Sequence, residues 1–190
     1  MKVIKTHIEG VVVVEPKVVG DSRGYFVELF RKEEFDAQVR PIEFVQHNES
    51  LSHRGVVRGL HFQCGRDAQS KLVSVVRGKI LDIAVDIRRG SPTFGRHVAV
   101  ELSADNQRRL FIPRGFAHGF AVLSDTAQVQ YMCDNYYAPE SDRGILWCDA
   151  KLGIDWQIPA EEVILSDKDS RQPLLDEAQE LFDYNDDLYV

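Results

Sequence analysis

The chain has no purely apolar run longer than Val11–Val14, far short of the roughly twenty residues that a membrane helix needs. Its opening residues, Met1-Lys2-Val3-Ile4-Lys5-Thr6, hold no apolar core of signal-peptide length. Cysteine is scarce. Cys64, Cys133 and Cys148 are odd in number, scattered, and never spaced Cys-x-x-Cys. That excludes a disulfide framework or a zinc ribbon and predicts reduced thiols in the cytoplasm. Basic runs are also missing. Arg108-Arg109 is too short for a nucleic-acid stripe, so neither nucleic acid nor membrane is an expected partner. The net charge of −7 is unevenly placed. Glu161–Val190 carries ten acids against two bases, Lys168 and Arg171, leaving twenty acids and twenty-one bases in the first 160 residues. The body is therefore free to hold a local basic pocket, while the acidic end favours solubility.

What is present is a series of short strand-like stretches broken by turns, the pattern of a sandwich or barrel. Val11–Val14, Tyr25–Phe30, Ile42–Ser50, Val56–Gln63 and Leu72–Val76 read as strands. Lys79–Ile87, Arg96–Leu102, Arg109–Ile112, Gly119–Leu123 and Ala127–Asp134 do the same. Val98, Val100 and Leu102 alternate against His97, Ala99 and Glu101. Leu81, Ile83, Val85 and Ile87 alternate too, although Ile80 and Ala84 make that strand apolar on both faces. Lys32–Val39 allows two helical turns. Pro173–Tyr184 predicts the main helix, with Pro173 at its first position and an apolar stripe of Leu174, Ala178, Leu181 and Phe182. Without repeats or linkers, residues 1–190 are expected to form a single domain with a helical appendage over about 160–190.

The centre of interest is His61-x-Gln63, then Lys71, then six residues and Gly78, followed by Pro113-Arg114-Gly115-Phe116-Ala117-His118. The spacing resembles the metal-binding pattern of a cupin barrel, His-x-His…Glu, with ligands replaced. Gln is a poor transition-metal ligand, and a Lys ammonium repels a divalent cation. What is left is an imidazole beside a cation. That pairing suits proton abstraction with an electrostatic stabiliser.

Eight blocks together resemble the dTDP-4-dehydrorhamnose 3,5-epimerase family. They are Pro16-x-x-x-Gly20-Asp21-x-Arg23-Gly24-x-Phe26, Phe44-x-Gln46-x-Asn48-x-Ser50-x-Ser52, Arg58-Gly59-Leu60-His61-x-Gln63 and Gln69-x-Lys71-Leu72-Val73. Further on come Ser91-Pro92-Thr93-x-Gly95, Ile112-Pro113-x-Gly115-Phe116-Ala117-His118-Gly119-Phe120, Tyr136-Tyr137-x-Pro139 and Leu165-Ser166-x-Lys168-Asp169. The resemblance runs from about Lys2 to Leu175. It implies an all-β, cupin-type jelly-roll barrel (a double-stranded β-helix) with a few short helices, mainly C-terminal. It also implies a homodimer with shared active sites, no metal, no other cofactor, and a dTDP-4-keto-6-deoxy sugar substrate inverted at both carbons flanking the ketone.

Carried onto this chain, the resemblance makes His61 the base, oriented by Asp169, with Lys71 holding the enolate oxygen and Tyr131 donating the proton. Arg58, Lys168 and Arg23 would serve the pyrophosphate and nearby oxygens. Gln46 and Asn48 share one strand face and would read sugar hydroxyls or thymine. His118 would touch substrate, and Glu28 the nucleotide. Phe26 and Tyr136 would stack on thymine, and Asp142 stands where the family usually has a longer Glu. The segment from Arg23 to Glu28 would come from the partner subunit. Strict alternation opposes Arg58 to His61, so both reach one pocket only if Gly59 marks a bulge.

Taken singly, each residue has an ordinary structural role: His61 a satisfied strand histidine, Lys71 a solvated strand start, Tyr131 a strand tyrosine, Asp169 a turn residue. Their common order carries the functional reading. A metal-dependent cupin using His61 and His118 remains an alternative, opposed by Gln63, Lys71 and Val122. A non-catalytic sugar-nucleotide binding module is another.

Overall fold

A computed structural model describes residues 1–190. The chain opens with β1 (Lys2–Lys5), β2 (Val12–Glu15), the hairpin β3 (Val18–Asp21) and β4 (Gly24–Val27), and helix α1 (Lys32–Gln38). β5 (Gln46–His53), β6 (Val57–Gln63), β7 (Lys71–Arg77), β8 (Lys79–Asp86) and β9 (Arg88–Arg89) follow. Then come β10 (His97–Ser103), β11 (Arg109–Ile112), β12 (Phe116–Val122), β13 (Thr126–Cys133), β14 (Asp142–Gly144) and β15 (Phe182–Asp183). Two antiparallel sheets face each other as a jelly roll. One has the order β1-β2-β11-β7-β13-β5, the other β10-β8-β12-β6-β14.

The period of two divides each strand between two cores. Ile80, Ala84, Phe120 and Val122 point between the sheets and meet Val73, Leu110, Ala127 and Val129. Leu81, Ile83 and Val85 of the same β8 point outward into a second cluster with Leu60, Trp156, Leu175 and Phe182. This is why β8 is apolar on both faces. A third cluster packs Phe35 of α1 on Val12, Leu72 and Phe111, covering the outside of the other sheet. Each such side chain, fully buried, contributes about 1.5–3 kcal/mol. α1 stops at Val39, one residue before the Arg40-Pro41 pair, where the proline ring disfavours helix.

The expected helix over Pro173–Tyr184 does not form. The carbonyl of Leu174 accepts the N–H groups of Glu177 and Ala178, a single turn. Glu180 then takes φ +57, and the chain leaves as β15, parallel to β9. The reason is burial. Leu175, Ala178 and Phe182 reach the outer cluster, while Leu174, the first residue of the expected stripe, is 39% exposed. Residues 160–190 are thus an irregular cover whose helical elements are the 3₁₀ turns Ala160–Glu162 and Asp169–Arg171, and the one α-helix lies towards the N-terminus. No helix is long and apolar enough to cross a membrane.

Candidate active site

The site is built by register. On the six-stranded sheet Cys133 pairs with both Lys71 and Gln46, and Tyr131 pairs with both Val73 and Asn48. These two rows bring Lys71, Gln46, Tyr131 and Asn48 to the inner face at one end of the barrel. On the opposite sheet His118 pairs with His61, and Phe120 with Arg58. Three steps along β6 match two along β12, so a bulge lies between them. His61 and Arg58 consequently share a face. Gly59 makes this feasible. It sits at φ +121, and a Cβ there would come within 2.6 Å of Gly119 Cα and 2.8 Å of the His118 carbonyl oxygen. Arg58 reaches across the barrel, donating from Nε to Ser52 Oγ at 3.1 Å.

Between the sheets lies a cavity of about 400 Å³, lined by Gln46, Asn48, Glu49, His61, Phe62, Gln63, Gln69, Lys71, Tyr131, Tyr137 and Asp142. His61 Nε2 lies 2.5 Å from Asp169 Oδ1. Asp169 is buried and held by Ser166, whose hydroxyl donates to Oδ2 at 2.8 Å and accepts the Asp169 N–H at 3.1 Å. Burial pushes this carboxyl up, but the hydrogen bonds from His61 and Ser166 outweigh it and hold the group below its ordinary value. An ionised carboxylate fixes the ring and stabilises the imidazolium that forms when His61 takes a proton.

Lys71 faces this couple from the other sheet, its Nζ 5.9 Å from the centre of the Tyr131 ring. Burial pulls the lysine down from its ordinary value, opposed by Cys133, Asp142 and Asp82. Burial raises the Tyr131 phenol, so it stays protonated at neutral pH. Burial likewise lifts the Cys133 thiol to about 11. Asp142 lines the cavity, accepting from Tyr137 Oη at 3.0 Å and from Lys168 Nζ.

The structure therefore gathers His61, Asp169, Lys71, Tyr131, Gln46, Asn48 and Asp142 in one place, with Lys168 at its edge. Other expected residues lie elsewhere. Tyr136 is 66% exposed, and the cavity is lined by its neighbour Tyr137 instead. Arg23 lies on the β3–β4 ribbon in a bidentate pair with Asp21, and Glu28 pairs with Arg31. Phe26 on that ribbon is 73% exposed. His118 is buried behind His61 and bonded through Nε2 to Asp82 Oδ1 at 2.8 Å. It does not line the cavity.

Asp82 escaped the sequence reading. Its signal was an acid between Leu81 and Ile83 in a strand apolar on both faces, where a buried carboxylate needs a partner. By spacing Gln63 reads as a replaced metal ligand within the block around His61. Its amide binds the backbone of Asp67, Tyr136 and Ala138 and shapes the rim. No three His, Cys, Asp or Glu side chains converge as a metal site.

Comparison with known proteins bears on the family and the fold. A family model described as dTDP-4-dehydrorhamnose 3,5-epimerase matches residues 5–177. The enzyme of that name from Shigella flexneri is 54% identical over 170 residues, 89% of this chain and 93% of its own length. The one from Escherichia coli K12 is 53% identical, covering 93% of this chain and 96% of its own. A crystal structure of the Legionella pneumophila dTDP-6-deoxy-D-glucose-3,5-epimerase, in complex with dTDP-4-keto-L-rhamnose, superposes with a TM-score of 0.93 at 46% identity. It covers 97% of this chain and 99% of that one.

Proposed function

The chain belongs to the dTDP-4-dehydrorhamnose 3,5-epimerase family, and from that premise we propose how its cavity inverts two carbons of dTDP-4-dehydro-6-deoxy-D-glucose to give dTDP-4-dehydro-L-rhamnose. A hydrogen beside a ketone is weakly acidic. Its removal needs a base and a group that holds the charge developing on the ketone oxygen. His61 has one ring nitrogen committed to Asp169 and takes the proton on the other. Lys71 holds the enolate oxygen. Tyr131 returns a proton to the opposite face, and both groups reset by exchange with solvent. The same cycle runs at the second flanking carbon. Bonds, protons and electrons balance without an oxidant, so no nicotinamide is required, and Lys71 supplies the positive charge that a metal would otherwise bring.

The observation that carries this reading is the His61–Asp169 pair at 2.5 Å, its carboxylate buried and its ring facing the cavity that Lys71 and Tyr131 also line. Gln46, Asn48, Arg58, Asp142 and Lys168 are assigned to the sugar and diphosphate. The β3–β4 ribbon pairs with neither sheet and leaves Val19, Tyr25 and Phe26 more than half exposed. This supports a homodimer in which the ribbon delivers Arg23, Phe26 and Glu28 to the partner's cavity. We place the enzyme in the cytoplasm and treat residues 1–190 as one catalytic unit.

The test is a coupled reaction. Purified protein, the 4-keto sugar nucleotide and the downstream NADPH-dependent reductase should yield dTDP-L-rhamnose by NMR. A product inverted at one carbon only would point to a mono-epimerase. No turnover, with binding intact, would favour a sugar-nucleotide binding module.

A further inference from the structure

Residues after 177 lie beyond the stretch that the family model matches, yet they are tied to the catalytic end of the barrel. Tyr189 Oη accepts the Arg114 N–H at 3.1 Å and lies 2.8 Å from Ser70 Oγ. Ser70 is fully buried and immediately precedes Lys71. Its N–H donates to Asp134 Oδ1 at 2.6 Å, and its carbonyl accepts the Asp134 N–H at 3.3 Å. Arg114 closes the loop, donating from Nε to Asp134 Oδ2 at 3.0 Å and from Nη1 to the Leu188 carbonyl at 2.9 Å. The Arg40 guanidinium stacks 3.3 Å from the centre of the Tyr189 ring.

Ser70 and Asp134 directly adjoin Lys71 and Cys133, which are a cross-strand pair at the cavity. Lys71 itself makes no side-chain hydrogen bond or ion pair within the chain; its ammonium only approaches the Tyr131 ring. The direction of this long, flexible side chain is therefore governed by its backbone and by the walls around it. Ser70 is where that backbone is fixed, and Tyr189 completes the bonding of Ser70.

We propose that Tyr189 is a positioning residue for Lys71, acting through Ser70 to hold the ammonium where the enolate oxygen forms. This rests on the reading of Lys71 given above. Tyr189 touches Ser70, Arg114 and Arg40 and none of the residues assigned to the nucleotide, so the effect belongs to turnover and not to nucleotide binding.

The test is a double-mutant cycle of wild type, Tyr189→Phe, Lys71→Met and the double variant. Turnover is followed by product formation and by slow deuterium uptake from D₂O, with thermal melts alongside. Tyr189→Phe keeps the ring and its stacking. It should lower kcat about fivefold, the ratio equivalent to a single hydrogen bond, while KM stays within about twofold. In the Lys71→Met background it should do nothing further. As a second readout, the ¹³Cε resonance of Lys71, assigned by its loss in Lys71→Met, should shift in Tyr189→Phe. An unchanged kcat or an unmoved resonance in Tyr189→Phe overturns the proposal while leaving the catalytic reading intact. Equal losses in both backgrounds also overturn it, since they mark a merely structural role. Full activity in Lys71→Met overturns the proposal and the reading beneath it.

Discussion

Replacing Asp169 by Asn removes a charge and almost no volume. The carboxylate is 4% exposed, so water cannot take its place. It accepts from His61 at 2.5 Å and from Ser166 at 2.8 Å. A hydrogen bond to a charged group contributes about 1.5–3 kcal/mol and a neutral one about 0.5–1.5 kcal/mol, so the exchange costs about 1–1.5 kcal/mol. The imidazolium formed in the reaction also loses its counter-charge, up to about 4 kcal/mol for unit charges 4 Å apart at an effective dielectric constant of 20. The two effects overlap, so we expect Asp169→Asn to lower kcat by about 10²–10³, the scale of lost general-base catalysis. KM should stay within about threefold, because Asp169 sits behind the ring. The assay is initial-rate turnover of the 4-keto sugar nucleotide, with circular dichroism as the check on fold. A kcat within threefold of wild type would refute the reasoning. The pH dependence has a definite sign. The Asp169 carboxyl is held below its ordinary value, so its stabilising contribution is complete above the unfolded-state pKa of about 4 and is lost as pH falls through the lower folded value. The stability difference between wild type and Asp169→Asn should therefore shrink as the solution is made more acidic than about pH 4.

Gly59→Ala would force a Cβ to 2.6 Å from Gly119 Cα at φ +121; chemical denaturation should show a loss of about 2–4 kcal/mol, and a stable variant would remove the bulge from the account. Tyr131→Phe should retain deuterium exchange at the first carbon attacked while slowing inverted product by about tenfold or more, since the base remains and the far-face acid is gone. Phe26→Ala should raise KM without lowering the melting temperature, because that ring is exposed on its own chain; an unchanged KM in a confirmed dimer would contradict delivery of the ribbon to a partner's cavity.

Most of the barrel was legible because alternation is a local signal. β2, β6, β7, β8, β10, β11 and β13 fall where the pattern of apolar residues puts them, within one or two residues at each end. The errors have physical causes. The ribbon strand β3 is exposed throughout and β14 is only three residues long, so neither leaves an alternation to read. The stripe over Leu174–Phe182 matches a helix by spacing, yet the outer cluster selects Leu175 and Ala178, and tertiary burial overrides the local period. The shared face of Arg58 and His61 was readable only as a condition on Gly59, which the bulge then satisfies. Asp169 shows the limit of sequence: 108 residues separate it from His61, and only the fold brings it to the ring. Asp82 was hidden for the opposite reason, since its neighbours Ile80, Leu81, Ile83 and Ala84 all describe a core.

The central claim is that His61 removes hydrogen from carbon on both sides of the ketone. Its most direct test is proton NMR of the 4-keto sugar nucleotide turned over in D₂O by wild type and by His61→Asn. The account predicts one deuterium at each of C3 and C5 with wild type, and no enzyme-dependent incorporation with the variant. Undiminished labelling by His61→Asn in a folded protein would contradict it.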